Sequence, residues 1–211
     1  MLRALLAAAL LVPASGAALD PVAAARQQFE QLDSYRVTLR SSAAQRPAQI
    51  IRYAYRKPGF VRMEFIAPHP GALLIYSPHS GQVRLWPFGQ RARAALTLAP
   101  DNPLIRGPYG RSVERSDVGA LLRNVQALQA GGDTELRGEE TVGRWNARQV
   151  VVTGAPGKAV DGVHRFQLWL AEGSLFPVKV ASFGLDDEAL ETVLMDDVEV
   201  DVPFAADFFQ P

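Results

Sequence analysis

The sequence predicts a mainly β protein of the α+β class, with one antiparallel sheet of about ten strands and two sizeable helices in a single domain. Three observations predict it. Many short runs alternate apolar and polar residues at period two, Pro/Gly turns separate those runs, and only two stretches switch to helical spacing. The turns are too short to hold the crossovers that parallel strands require, so consecutive strands run antiparallel as a meander.

The chain begins with Met1-Leu2-Arg3, an apolar run from Ala4 to Val12, Pro13, and then small residues from Ala14 to Ala18. This order of basic, apolar and small segments is that of a secretory signal peptide occupying residues 1–18, which leaves 19–211 as the mature domain. The apolar run is too short to cross a ~30 Å hydrocarbon core. Cysteine is absent, so the mature chain has no lipobox, no disulfide, no thiolate metal site and no Cys nucleophile. It is expected in the periplasm without a lipid anchor, stabilised by its core alone.

Asp20-Pro21 reads as an N-cap followed by proline at the first helical position, and Val22, Ala25, Phe29 and Leu32 continue an amphipathic helix towards Asp33-Ser34. Strands follow at Tyr35 to Arg40, Ile51 to Arg56, Val61 to Phe65, Ala72 to Tyr76 and Val83 to Trp86, with turns at Lys57-Pro58-Gly59, Pro68 to Gly71 and Pro78 to Gly81. From Gln90 to Arg115 the pattern fails and a long irregular connection is expected. Ser116 reads as the N-cap of a second helix with Asp117 in its first turn; Val118, Leu121, Leu122, Val125 and Leu128 form its apolar stripe, and Gly131-Gly132 stops it. Five more strands are expected at Thr134 to Glu140, Trp145 to Thr153, Val163 to Leu170, Pro177 to Phe183 and Leu190 to Val200.

Composition narrows the function. Twenty-two basic residues balance 22 acidic ones, and without a basic surplus nucleic acid is not an expected partner. The three histidines, His69, His79 and His164, form no metal-binding motif. There is no nucleophile elbow and no phosphate-binding loop, and the acidic pairs Asp186-Asp187 and Asp196-Asp197 point to opposite faces of any strand that carries them. The residues give no positive evidence of an enzyme and little support for a metal site. What remains is apolar. Tyr53 and Tyr55, then Val61, Met63 and Phe65, then Phe166, Leu168 and Leu170 each share one strand phase, while Leu73 to Tyr76 is apolar in both. These residues make either an ordinary core or the wall of a concave apolar pocket.

The segment from Tyr55 to Pro68 (YRKPGFVRMEFIAP) resembles a recurring segment of the LolA/LolB-like superfamily of periplasmic lipoprotein carriers, in which a basic residue and proline lead into an Arg-aromatic strand and a second proline. Leu74 to Ser77 and Val83 to Phe88 resemble the family's next hairpin, although its usual Asp-Gly turn is His79-Ser80-Gly81 here. The opening helix into Leu32 to Tyr35 and the closing Val202 to Phe209 also fit. The resemblance implies an open, strongly curved half-barrel with helices covering its concave face and an acyl-binding cavity. On that reading the cavity is lined by Tyr53, Tyr55, Val61, Met63, Phe65, Leu73, Ile75, Leu85, Phe166, Leu168 and Leu170, with Leu121, Leu122, Val125 and Leu128 in the lid. It further implies a monomeric carrier of an acyl lipid or lipoprotein cargo, moving between an inner-membrane donor complex and an outer-membrane acceptor, with no cofactor. Arg52 and Arg56 lie in the region of the family's lid-locking arginine, and the local pattern selects neither. The Gln90–Arg115 connection points to a paralogue with its own cargo. The competing expectation is a LolA-like envelope sensor or protein-interaction module.

Overall fold

A computed structural model of the protein describes residues 20–44, 46–90, 95–107 and 110–210, so the expected signal peptide lies outside the described residues. The elements in chain order are α1 (Pro21–Gln31), β1 (Ser34–Ala43), β2 (Gln49–Arg56), β3 (Phe60–Ala67), β4 (Leu73–Ser77), β5 (Gln82–Trp86), β6 (Leu96–Leu98), α2 (Val118–Gln129), β7 (Asp133–Val142), β8 (Trp145–Thr153), β9 (Arg165–Ala171), β10 (Pro177–Phe183) and β11 (Ala189–Val200). All eleven strands form one sheet in the order β6-β5-β4-β3-β2-β1-β11-β10-β9-β8-β7. Each named pair is antiparallel, and β6 and β7 are the edges.

The sheet is two meanders joined where the first and last strands pair. A bulge interrupts that seam between Arg36/Thr38 and their partners, and Asp197 sits there with φ 52°. The sheet is open and curved. Val83 on β5 and Val150 on β8 belong to one apolar cluster although eight strand steps separate them. At ~4.8 Å per step a flat sheet would hold them roughly 40 Å apart.

β6 corrects the expectation of an irregular stretch from Gln90 to Arg115 and raises the strand number to eleven. Three residues are too few to show a period, and only pairing with β5 defines them. The chain must then travel from one sheet edge to the other, and α2 makes that crossing over the concave face.

α1 starts as its sequence dictates: Asp20 Oδ1 accepts from the Val22 N–H at 3.0 Å, with Pro21 at the first helical position. The cap of α2 differs from expectation. Asp117, not Ser116, holds the N-cap, accepting from the Ala120 N–H at 3.0 Å. Ser116 is drawn away, donating to the Val113 carbonyl at 2.7 Å within the preceding turn and lying 3.0 Å from Tyr53 Oη across the fold. The two helices are clasped by Arg26 Nη1 donating to Gln126 Oε1 at 2.7 Å. Gly119 makes this approach possible, since a Cβ there would lie 2.5 Å from the Phe29 ring.

The C-terminal segment folds back over the convex face of β2 and β3. Phe209 is buried against Phe60 and Ala54, and Phe204 and Phe208 pack around it. The Arg56 guanidinium lies over both Phe60 and Phe209, 4.8 Å from each ring centre.

Candidate functional site: an apolar cavity under the sheet

Strand register assembles the site row by row. Leu85, Leu74, Met63, Tyr53 and Val37 stand opposite one another across β5, β4, β3, β2 and β1. The next row towards the strand ends is Phe65, Ile51, Leu39 and Met195, and the one beyond contains Ser41, Val193 and Val180. These rows wall a cavity of about 550 Å³, within the ~300–1,000 Å³ range of small-molecule sites.

The helical side of the cavity is formed by Val118 and Leu121 of α2 together with Val113 and Ile105 from the connection that precedes it. The inner end is closed by Tyr35, Tyr53, Ser116 and Asp117. Tyr53 Oη lies 3.0 Å from Ser116 Oγ, and the α2 N-terminus donates from Val118 N–H to Tyr35 Oη at 3.2 Å. Burial pushes the Tyr35 hydroxyl well above its usual pKa, and the neighbouring Tyr53 and Asp117 add to the shift. Burial also raises Tyr53, partly opposed by its bond to Ser116. Both hydroxyls are therefore protonated at neutral pH, and their polar atoms are satisfied inside the wall.

The outer end lies where β1, β3 and β5 finish and β2, β4 and β11 begin. Phe88 and Leu104, 85% and 65% exposed, sit on this rim. Arg46, His69, Arg106 and Arg111 line it as well. Glu191 is buried here; it accepts from Arg111 Nη2 at 2.8 Å and from Ser41 Oγ at 2.5 Å. The cavity is therefore apolar along its length, with a sealed hydroxyl end and a mainly cationic mouth.

The structure divides the sequence-expected lining residues into four groups. Tyr53, Met63, Phe65, Leu85 and Leu121 are on the cavity wall. Tyr55 and Val61 stand one row deeper, where the Tyr55 ring lies 5.8 Å from Phe29 of α1. Leu122, Val125, Leu128, Phe166, Leu168 and Leu170 belong to the packed core, where α2 crosses the second meander and fills the concave face. Leu73 and Ile75 point the other way and pack with Trp86 on the convex side. Arg52 and Arg56 also share the phase opposite to Tyr53: Arg52 is exposed near Glu64, and Arg56 is held between Phe60 and Phe209. Neither faces the cavity.

Sequence reasoning missed Val37, Leu39, Ile51, Leu74, Val193 and Met195 as lining residues, together with the polar set of the mouth. Alternation marked β1, β2 and β11 as half-buried, so the phase was legible. Which rows remain uncovered by helix was not. Among the described residues no cluster of His, Cys, Asp or Glu is arranged to hold a metal ion, and no helix is long and apolar enough to cross a membrane.

The fold is shared with solved structures. The lipoprotein LppX of Mycobacterium tuberculosis superposes with a TM-score of 0.54 at 12% identity, covering 89% of this chain and 96% of that one. An uncharacterised conserved protein of Thermus thermophilus also gives 0.54, at 10% identity over 88% of this chain and 89% of that one. The MucA/MucB complex of Pseudomonas aeruginosa gives 0.52 at 17% identity, covering 89% of this chain and 61% of the matched chain. No protein-family model and no curated protein matches the sequence. At these identities the likeness is one of fold: an open, curved antiparallel sheet with two helices.

Proposed function

We propose that the chain is a carrier that binds acyl chains of a lipid or lipoprotein in the cavity and passes its cargo towards the outer membrane. In this reading residues 1–18 direct export and are removed, residues 19–211 are the binding domain, and the protein works as a monomer in the periplasm between an inner-membrane donor and an outer-membrane acceptor. The observation that carries the reading is the cavity itself: about 550 Å³ of space walled by aliphatic and aromatic side chains, with its buried hydroxyls already hydrogen-bonded to protein. Such a wall offers an alkyl chain burial worth roughly 0.8 kcal/mol per methylene and no strong polar partner along its length. The exposed Phe88 and Leu104 give a leaving chain an apolar path at the mouth.

Native mass spectrometry of protein purified from the bacterial periplasm, followed by organic extraction, tests the proposal. The expected result is a co-purifying acyl species displaced by a fluorescent fatty-acyl probe. A clean apo mass and no probe uptake would overturn the carrier reading and leave the half-barrel as a protein-binding module.

A further inference from the structure

A second, smaller recess of about 150 Å³ adjoins the mouth. It shares Ser41, Arg46, Gln49 and His69 with the main cavity. Arg46 comes from the β1–β2 turn and His69 from the β3–β4 turn, so the sheet's register brings together two loops remote in sequence to form one polar pocket at the end of an apolar one. Where the strand rows of the main cavity present hydrocarbon, this recess has a guanidinium, an imidazole and an amide beside Ala43, Pro47 and Pro68, and the Ser41 hydroxyl that donates to Glu191.

The charges facing the two spaces can be assigned one by one. The lining carboxylates are Glu191 and Asp117. Glu191 is engaged by Arg111 and Ser41. Asp117 is at the far end, where it caps α2, with Arg123 4.0 Å away. Arg46 and His69 therefore line the recess without a carboxylate among the other residues that line it. A cation that opens on a half-enclosed polar recess recognises anions, and a guanidinium pairs well with the paired oxygens of a carboxylate or phosphate.

We propose that this recess seats the anionic head group, carboxylate or phosphate, of an amphiphile whose chain occupies the main cavity. The inference rests on the acyl-binding reading above and adds the class of cargo: anionic rather than neutral lipid. The apolar rows hold the chain, and Arg46 and His69 set the direction in which it enters, head outward.

The test is displacement of a fluorescent acyl probe from the full chain by three competitors with the same acyl chain: palmitate, palmitoyl lysophosphatidic acid and monopalmitoylglycerol. The two anionic competitors are expected to bind about tenfold more tightly than the neutral ester. In the double variant Arg46→Gln/His69→Gln that preference is expected to fall to within about twofold, with an unchanged Tm, because both side chains lie on exposed turns. Equal affinity for all three competitors in the unaltered protein overturns the proposal and leaves the carrier reading standing. So does a preference that survives the double substitution. Inorganic phosphate displacing the probe as well as the lipid does would mean a site for a free anion and overturns it too. If no amphiphile displaces or binds, the carrier reading itself falls.

Discussion

Arg111 Nη2 lies 2.8 Å from a carboxylate oxygen of Glu191, a side chain 7% exposed at the start of β11. The contact joins the connection between β6 and α2 to the middle of the sheet. It therefore ties down the segment that forms one side of the cavity mouth. Replacing Arg111 with alanine leaves a buried carboxylate with Ser41 as its remaining partner, an arrangement that costs about 2 kcal/mol. The denaturation midpoint in urea should fall accordingly. The double variant Arg111→Ala/Glu191→Gln should recover most of the loss. Additive effects of the two substitutions would show that the pair is not coupled.

Leu121 and Leu122 are neighbours with opposite roles. Leu121 is half-buried on the cavity wall, whereas Leu122 is fully buried in the core beneath α2. Leu122→Ala should destabilise by about 2–5 kcal/mol, as core truncations do. Leu121→Ser should lower the affinity for an acyl probe several-fold and change the melting temperature little. Equal effects of the two substitutions on stability would contradict the placement of the cavity.

Met63 occupies the centre of the five-strand row and faces the cavity from β3. Met63→Trp adds an aromatic ring to that space while leaving the convex face untouched. Fluorescent acyl-probe uptake should drop about tenfold or more, and the new indole should be quenched or shifted by any chain that still enters. Undiminished uptake would place the ligand elsewhere.

The tyrosines at the closed end give the protein an alkaline limit. Burial raises Tyr35 and Tyr53 above the ordinary tyrosine value of 10.0. The folded state therefore keeps protons that the unfolded chain gives up. The stability they contribute is complete below pH 10 and is lost progressively as the pH rises beyond it. Unfolding by urea should become easier above pH 10, and less so in Tyr53→Phe. Absorbance titration should show these two hydroxyls ionising only as the protein unfolds.

Phe209 closes the aromatic cluster on the convex face and is 1% exposed. Phe209→Ala should cost about 3 kcal/mol by opening a cavity beside Phe60 and removing one of the two rings over which Arg56 lies. Acyl-probe affinity should be unaffected in the folded fraction, because this cluster is on the opposite side of the sheet from the cavity.

Much of this architecture is written in local pattern. Period-two alternation marks strands such as β1, β2 and β8, since one face of each is more deeply buried than the other. Asp20-Pro21 and Gly131-Gly132 mark helix limits because capping chemistry is local. The meander follows from turns too short for any other connection. The segment Leu73 to Tyr76 shows where this legibility stops. It is apolar in both phases, and only the pairings Met63 with Leu74 and Leu74 with Leu85 put Leu74 inside while Leu73 and Ile75 turn outward. Ser116 and Asp117 are equally plausible caps by residue type; the contact of Ser116 with Tyr53 decides between them.

The sequence by itself determined the class of fold, the antiparallel order, two helices and the apolar phase of most strands, because each follows from periodicity and turn chemistry within a few residues. Only the tertiary structure decided which part of the concave surface is empty. α1 and α2 come to rest over one portion, where Leu122, Val125 and Leu128 meet the second meander, and they leave the rows from Leu85 to Met195 uncovered. Packed core and open cavity use the same residue types in the same alternation, and only the position of a helix remote in sequence distinguishes them. The mouth follows the same logic. Arg46, His69, Arg111 and Glu191 are far apart in the chain and carry no shared motif, and they become neighbours because strand ends converge on one rim.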